Sequence, residues 1–417
     1  MHLVARSLIA VCVVFSCGSA IAQIPVPEPA AIAITYHRDL FWIWVIEQVA
    51  LFALPFYLLV SGRGSSIAAF GERLVRGRWI LAAAVFAGTY ALLYSIVQLP
   101  VGYVRSFWLN HYFNIDVPDV LPWMLDQIVP TAQLILIALA VGWIPLWLIR
   151  KSPNWWWAWS SGALAIIAST YFAVQPLWID PLTKTYVQLA DSDYANWQDR
   201  LERVLARAGA NDAPVMVWET RESDFCRVQN SVVGLGPTRT IILADQIFTE
   251  WKPEQVDAAL AHELKHYLFD NTWLPVLIIA SLSVGGALAV LFLGRAVCRR
   301  WPDRLGFNSL DQPAALPLIL VIVQLYMLIA IPIFNLTAQH VELEADRFAL
   351  ELTQDNEARA LVSASQCGRL WLAEDTLFDR LYRNTHPSIA DRVNLANSYR
   401  PWETGEPLVY RNILLKD

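Results

Sequence analysis

The stretch "AHELKHYLFD", residues 261–270, places His262 and His266 four positions apart, with Glu263 directly after the first histidine. Four positions are just over one helical turn, so on a helix both imidazoles share a face and can converge on one metal ion. The preceding residues predict that helix. Pro253 suits a first helical position, and Val256, Leu260, Leu264 and Leu268 form an apolar stripe that would face a core. Glu263 then lies beside the ion, where a carboxylate can take a proton from a water whose pKa the metal lowers. A polar helix face with two unligated histidines would carry the same string. The rest of the chain must therefore supply a third ligand and a setting for a substrate.

That setting is a membrane. The 417 residues are 56% hydrophobic and 16% charged, with 19 tryptophans, whereas soluble domains carry about a quarter charged residues. A net charge of −6 without a basic run excludes nucleic acid as a partner. Cys12, Cys17, Cys226, Cys298 and Cys367 follow no CxxC spacing and give neither a metal cluster nor a disulfide framework. Six apolar stretches are long enough to cross a bilayer, near 39–61, 79–104, 122–149, 154–179, 271–294 and 315–338. Aromatic residues at their ends, as in "NWWWAW" at 154–159, suit the headgroup level. Residues 1–22 read either as a secretory signal peptide cleaved before Gln23 or as an uncleaved first transmembrane helix, and 23–38 as an extended Pro-rich linker. Residues 39–179 then form a four-helix transmembrane region, and 271–338 two further transmembrane helices.

Two polar regions remain, 180–270 and 339–417. Because two crossings separate them, they can share one side of the membrane. In the first, "ANWQDRLERVLARAG" predicts a helix with Leu201, Val204 and Leu205 at helical spacing, stopped at Gly209. "APVMVWET" alternates as a strand, and "NSVVGLGPTRTIILAD" predicts two β-branched strands around a Gly-Pro turn. The second region is mostly helical in pattern.

A hydrolytic zinc site wants three protein ligands and one open position. A close His-x-x-Gly-x-x-His continuation is absent, since "YLFDNTW" follows the second histidine. The Leu-Asp-Gly partner motif of membrane-embedded site-2 proteases is missing too, because Leu310-Asp311 precedes Gln312. The remaining candidate is "HVELEADRFALEL", residues 340–352. Glu342 and Asp346 share a helical face while Glu344 points elsewhere. Glu342 can ligate zinc, and Asp346 can accept a histidine N–H and fix that ring's tautomer. A solvated acidic helix face would show the same residues.

HELKH followed by Glu-x-x-Ala-Asp (Glu342, Ala345, Asp346) resembles the integral-membrane gluzincin metallopeptidases of the CAAX prenyl protease 1 type. In that family two transmembrane helices separate the histidine motif from the third ligand. "NSVVGLGPTRTIILAD" is similar to its Asn-Ala-x-x-x-Gly strand pair, and "THPSIADR" to its His-Pro-Ser…Arg stretch. A weaker likeness covers the second and third crossings, with Phe113-Asn114 in the loop between them. The resemblance spans most of the chain after residue 39. It implies a polytopic α-helical membrane protein with a zincin-like metallopeptidase domain, mostly α with a small β-sheet, split by two transmembrane helices into parts at 180–270 and 339–417. It also implies one zinc held by His262, His266 and Glu342, with Glu263 as general base and Asp346 as an outer acid. His386 and Arg392 would stabilise the oxyanion, a task usually given to a cationic or donating group. Asn230 and Val232 can bind an extended substrate along a sheet edge. One departure stands out: Gln339 occupies the position where the family usually has Arg.

The activity expected is zinc-dependent endopeptidase action on a peptide or protein at the bilayer. The alternatives are a metal-binding receptor or transporter, or a membrane-protein quality-control protease of the same chemistry. Glu263 weighs against a purely structural site, which needs ligands but no adjacent base. Orientation follows from charge. Arg63, Arg73, Arg76, Arg78, Arg150, Lys151, Arg295, Arg299, Arg300 and Arg304 fall in loops on one face, while the short loops of the other hold only Arg38 and Arg105. Basic short loops stay cytoplasmic, so both polar regions, with Cys226 and Cys367, are expected on the periplasmic side of a bacterial inner membrane. The signal-like N-terminus sends residue 23 to the same side.

Overall fold

In the computed structural model, residues 23–115, 118–180, 184–220, 230–269, 271–365, 368 and 370–414 are described. The expected signal peptide or first helix, together with Cys12, Cys17, Cys226 and Cys367, lies outside them. Among the described residues, six helices are long and apolar enough to cross a membrane: Ala31–Val60, Trp79–Tyr112, Val120–Lys151, Trp156–Trp178, Leu274–Arg300 and Pro313–Thr353. Their order is the expected one, but two ends differ. The first helix begins at Ala31, inside the stretch read as linker. Only the residues up to Ala30, with Pro25, Pro27 and Pro29, stay extended. The added turns are held by tertiary contacts. His37 lies 2.9 Å from Asp379 Oδ2 and 3.1 Å from the Leu370 carbonyl. The second difference matters more for the site. The last crossing helix, Leu316–Thr353, runs unbroken through Glu342 and Asp346 until Gln354 turns left-handed at φ 56°.

At one end of the bundle the connections between helices meet. Ser65 Oγ donates to the Leu305 carbonyl at 2.8 Å, Arg295 Nη2 donates to Asn154 Oδ1 at 3.0 Å, and Arg150 Nε lies 3.9 Å from Asp311 Oδ2. They flank an apolar cluster that includes Phe86, Trp156, Cys298, Phe307 and Leu310.

The polar insert forms a four-stranded sheet in the order β1-β2-β4-β3, where β1 is Thr185–Gln188, β2 Val215–Glu219, β3 Ser231–Val233 and β4 Thr240–Ala244. β2 and β4 run parallel, and both outer pairings are antiparallel. The three strands read from sequence are present. β1, a short edge strand, carries no comparable apolar signal. Between β3 and β4 the chain turns at Gly234, whose φ is +87° and where a Cβ would sit 2.2 Å from the Thr238 carbonyl oxygen. Only glycine fits there. The helix Gln198–Arg207 buries Leu201, Val204 and Leu205 as its spacing predicts, and ends before Gly209 at φ +65°.

The helix carrying the histidines, Pro253–Leu268, starts at the expected proline, and Gln255 Oε1 accepts from the Lys252 N–H at 2.9 Å. Val256, Leu260 and Leu264 are fully buried in one cluster with Val217 and Leu243 of the sheet and with Phe348 and Leu352 of the last crossing helix. Sheet, histidine helix and crossing helix thus share a core. The chain end is fastened to the same helix by Glu351. This carboxylate is 2% exposed and accepts from Tyr399 Oη at 2.5 Å and from the Val409 and Tyr410 N–H groups at 2.9 Å each. Glu351→Gln removes acceptor capacity from a buried site, so it is expected to destabilise the fold by about 1–3 kcal/mol. Thermal unfolding in detergent should show a lower midpoint, and hydrogen exchange at Val409 and Tyr410 should accelerate. An unchanged midpoint with unchanged exchange would contradict this role.

Candidate metal centre

The histidine helix and the last crossing helix lie side by side, bringing four sequence-predicted side chains together. His262 Nε2 lies 3.4 Å from His266 Nε2 and 3.2 Å from Glu342 Oε2, and His266 Nε2 lies 3.4 Å from Glu342 Oε1. Among the described residues, His262, His266 and Glu342 form a group whose donor atoms all lie within 4.8 Å of one another. A tetrahedrally bound ion with bonds of about 2.0–2.1 Å separates its ligand atoms by about 3.3–3.4 Å. The observed spacings, 3.2–3.4 Å with the two Glu342 oxygens each facing one histidine, lie close to that edge length. Two imidazoles and one carboxylate also offer the neutral-plus-anionic donor set that a divalent cation needs, with a fourth position left over. Burial pushes His266 down to about 4, so its imidazole is neutral at neutral pH and can offer a lone pair.

The other nitrogen of His262 is equally constrained. Nδ1 lies 2.8 Å from Asp346 Oδ1. With the carboxylate accepting, Nδ1 carries the proton and Nε2 presents its lone pair to the cluster. Asp346 is itself gripped: Arg392 donates from Nε to Oδ2 at 2.7 Å and from Nη2 to Oδ1 at 2.8 Å. Arg359, which the sequence did not single out, places Nη2 2.7 Å from Oδ1.

Arg392, expected as an oxyanion donor, directs Nε and Nη2 to Asp346, which lies at the Nδ1 end of His262. His386, the other residue expected at the oxyanion, lies beside Glu342. Its Nε2 lies 3.5 Å from Glu342 Oε2, and its side chain is 62% exposed, at the open side of the cluster. Glu263 is 6% exposed, and burial pushes its carboxyl up to about 7.

Of the residues expected to contact substrate, Val232 sits on β3, the edge strand next to β4, and Asn230 Oδ1 accepts from the Ala244 N–H at 3.1 Å and closes the β3–β4 pair. Gln339 also has a structural task. Its Nε2 donates to the carbonyls of Arg380 at 2.8 Å and Asn384 at 2.7 Å, and Asn335 donates to Leu381 at 2.9 Å. The helix that offers Glu342 therefore also clasps the segment leading to His386.

Known proteins resemble this chain along most of its length. The profile of Peptidase family M48 matches residues 192–400, and that of the CAAX prenyl protease N-terminal region, five membrane helices, matches residues 16–185. The chain belongs to peptidase family M48. It is 23% identical over 379 residues to the uncharacterized metalloprotease YhfN of Bacillus subtilis (strain 168), covering 89% of this chain and 86% of that protein. It is 23% identical over 313 residues to the CAAX prenyl protease 1 homolog of Dictyostelium discoideum, covering 72% and 69%. The crystal structure of S. mikatae Ste24p has the same fold, with a TM-score of 0.63, 18% identity and 87% of each chain covered. The protein is thus a multi-pass membrane metallopeptidase, with a metal cofactor and a peptide or protein substrate.

Glu263 generates a pH prediction for chelator-treated protein. Burial raises this carboxyl from its ordinary 4.5 to about 7. A group raised in this way contributes stability that is present below the lower value and lost as pH rises through the higher one. Between these limits the metal-free protein should lose about 3 kcal/mol through this carboxyl, and Glu263→Gln should abolish that part of the slope. Unfolding midpoints against pH test it; identical slopes in both proteins would refute it.

Proposed function

We propose that the metal is a single zinc ion held by His262, His266 and Glu342, and that Glu263 is the general base for peptide-bond hydrolysis. The observation that carries this reading is the convergence of two Nε2 atoms and one carboxylate at spacings close to the edge length of a tetrahedral site. Zinc, when bound, supplies a Lewis acid that polarises the scissile carbonyl and lowers the pKa of a coordinated water. Glu263, buried and held near neutrality, takes the proton of the attacking water and delivers it to the leaving amine. Asp346 keeps the proton on His262 Nδ1 and the ring in orientation. His386, exposed beside Glu342, stabilises the developing oxyanion, while Arg392 acts through Asp346. An extended peptide adds to the sheet at β3, alongside Val232.

The proposed organisation is a metallopeptidase domain in two parts, 180–270 and 339–417, on the periplasmic face of a bacterial inner membrane. Two observations support that side. The basic loop residues Arg63, Arg150, Arg295 and Arg304 belong to connections that meet at one end of the bundle, and basic short loops stay cytoplasmic. The two polar regions follow an even number of crossings from residue 23.

Metal analysis of the purified protein should find close to one zinc per chain, lost in the His262→Ala, His266→Ala double variant; full retention would end this reading. Glu263→Gln should keep its zinc yet cleave peptides about 10²–10⁴-fold more slowly, and undiminished turnover would move the base elsewhere. The assay should include a prenylated CAAX peptide, suggested by the name of the Dictyostelium relative, beside unmodified peptides. For orientation, alkaline phosphatase fused after Asp417 should be active. An inactive phosphatase with a fluorescent green fluorescent protein fusion would return the site to the cytoplasm.

A further inference from the structure

Asp346 is 1% exposed, and one of its oxygens, Oδ1, is approached by three nitrogens. His262 Nδ1 and Arg392 Nη2 each lie 2.8 Å away, and Arg359 Nη2 lies 2.7 Å away. Arg359 comes from the helix Asn356–Ala364. It is 1% exposed, and among the described residues its Nε and Nη2 complete no aligned hydrogen bond. The contact with Asp346 is therefore a close ion contact.

Burying a second guanidinium there is costly. Desolvating a charge costs several kcal/mol, and Arg392 alone already neutralises Asp346. Burial pushes Arg359 down to about 10, with Arg392 as a like-charged neighbour, yet it stays protonated at neutral pH. Its docking does not require the charge. Ala358 and Val362 of the same helix pack against Ala258 of the histidine helix. What the guanidinium adds is geometric. Arg392 spans Oδ2 and one side of Oδ1, and Arg359 closes on Oδ1 from a different helix, so the carboxylate is held against rotation away from His262.

We propose that Arg359 is a positioning residue for metal binding, pinning Asp346 so that His262 keeps Nε2 aimed at the ligand cluster. The inference rests on the reading of His262 as a metal ligand oriented by Asp346. Loss of the pin lets the carboxylate turn, frees the imidazole to tilt, and weakens the site without disturbing the apolar packing of either helix.

The test is zinc affinity of the full-length protein in detergent, measured by competition with a chromophoric chelator. Arg359→Met fills the space without the charge and should weaken zinc binding about 10–100-fold, as outer partners of metal-binding histidines do. Asp346→Asn should fall in the same range, and the double variant should be within about twofold of the weaker single variant, because both changes break one unit. Zinc affinity unchanged in Arg359→Met but lost in Asp346→Asn overturns this inference alone. Unchanged affinity in Asp346→Asn overturns the reading of Asp346 and this inference with it. A lower unfolding midpoint of the metal-free Arg359→Met protein without a change in zinc affinity marks a merely structural role and also overturns it. Should Arg359→Met not fold, Arg359→Lys replaces it, keeping the charge but losing the planar fork. Several-fold weaker zinc binding then supports the inference, and unchanged binding overturns it.

Discussion

The metal centre depends on one packing contact, between the helix Pro253–Leu268 and the last crossing helix Leu316–Thr353. One side of that contact is apolar: Leu260 and Leu264 share a cluster with Phe348 and Leu352. The other side is polar and joins His262 and His266 to Glu342 and Asp346. The apolar side supplies the driving force, and the polar side is tolerated because its buried groups find partners. Chain topology makes the contact possible. Two crossings, Leu274–Arg300 and the last crossing helix itself, lie between the histidines and Glu342, and two crossings bring the chain back to the end it left. A single crossing would put the histidines and Glu342 at opposite ends of the bundle.

From that contact outward, each further element fixes a degree of freedom. The sheet braces the histidine helix through Val217 and Leu243. Arg392, from the helix Ile389–Ser398, holds Asp346, and Asp346 holds His262. Gln339 and Asn335 fasten the 380–384 segment to the last crossing helix, which keeps His386 beside Glu342. Gln339 donates from one amide nitrogen to two backbone carbonyls without bringing another buried charge near Glu342. Membrane span and ligand-bearing segment are one helix, so the anchoring of the bundle also sets the position of Glu342.

Much of this was legible in the sequence because it is periodic. A spacing of four placed the histidines on one face, and the stripe Val256, Leu260, Leu264 marked the face that enters the apolar core. Alternation and a Gly-Pro turn identified β2, β3 and β4. What escaped has no period. β1 is four residues at a sheet edge, paired only with β2, so its tertiary partner decides its state. The first helix starts at Ala31 because contacts from His37 to distant residues extend it. Arg392 was recognised as a charge belonging to the site, but sequence cannot say which end of an imidazole it approaches. Arg359 stands in "NEARALVSA", where nothing separates a buried arginine from an exposed one. Asn230 carries a motif asparagine whose bond to the Ala244 N–H follows from strand register rather than from composition.

The most direct test of the central claim is zinc K-edge X-ray absorption on the purified full-length protein. The account predicts a ligand shell of nitrogen and oxygen only, at about 2.0–2.2 Å, with the outer scattering of two imidazole rings. Glu342→Gln should alter the oxygen contribution while both imidazoles remain. A shell containing sulfur at about 2.3 Å, or one without imidazole scattering, would contradict a site built from His262, His266 and Glu342.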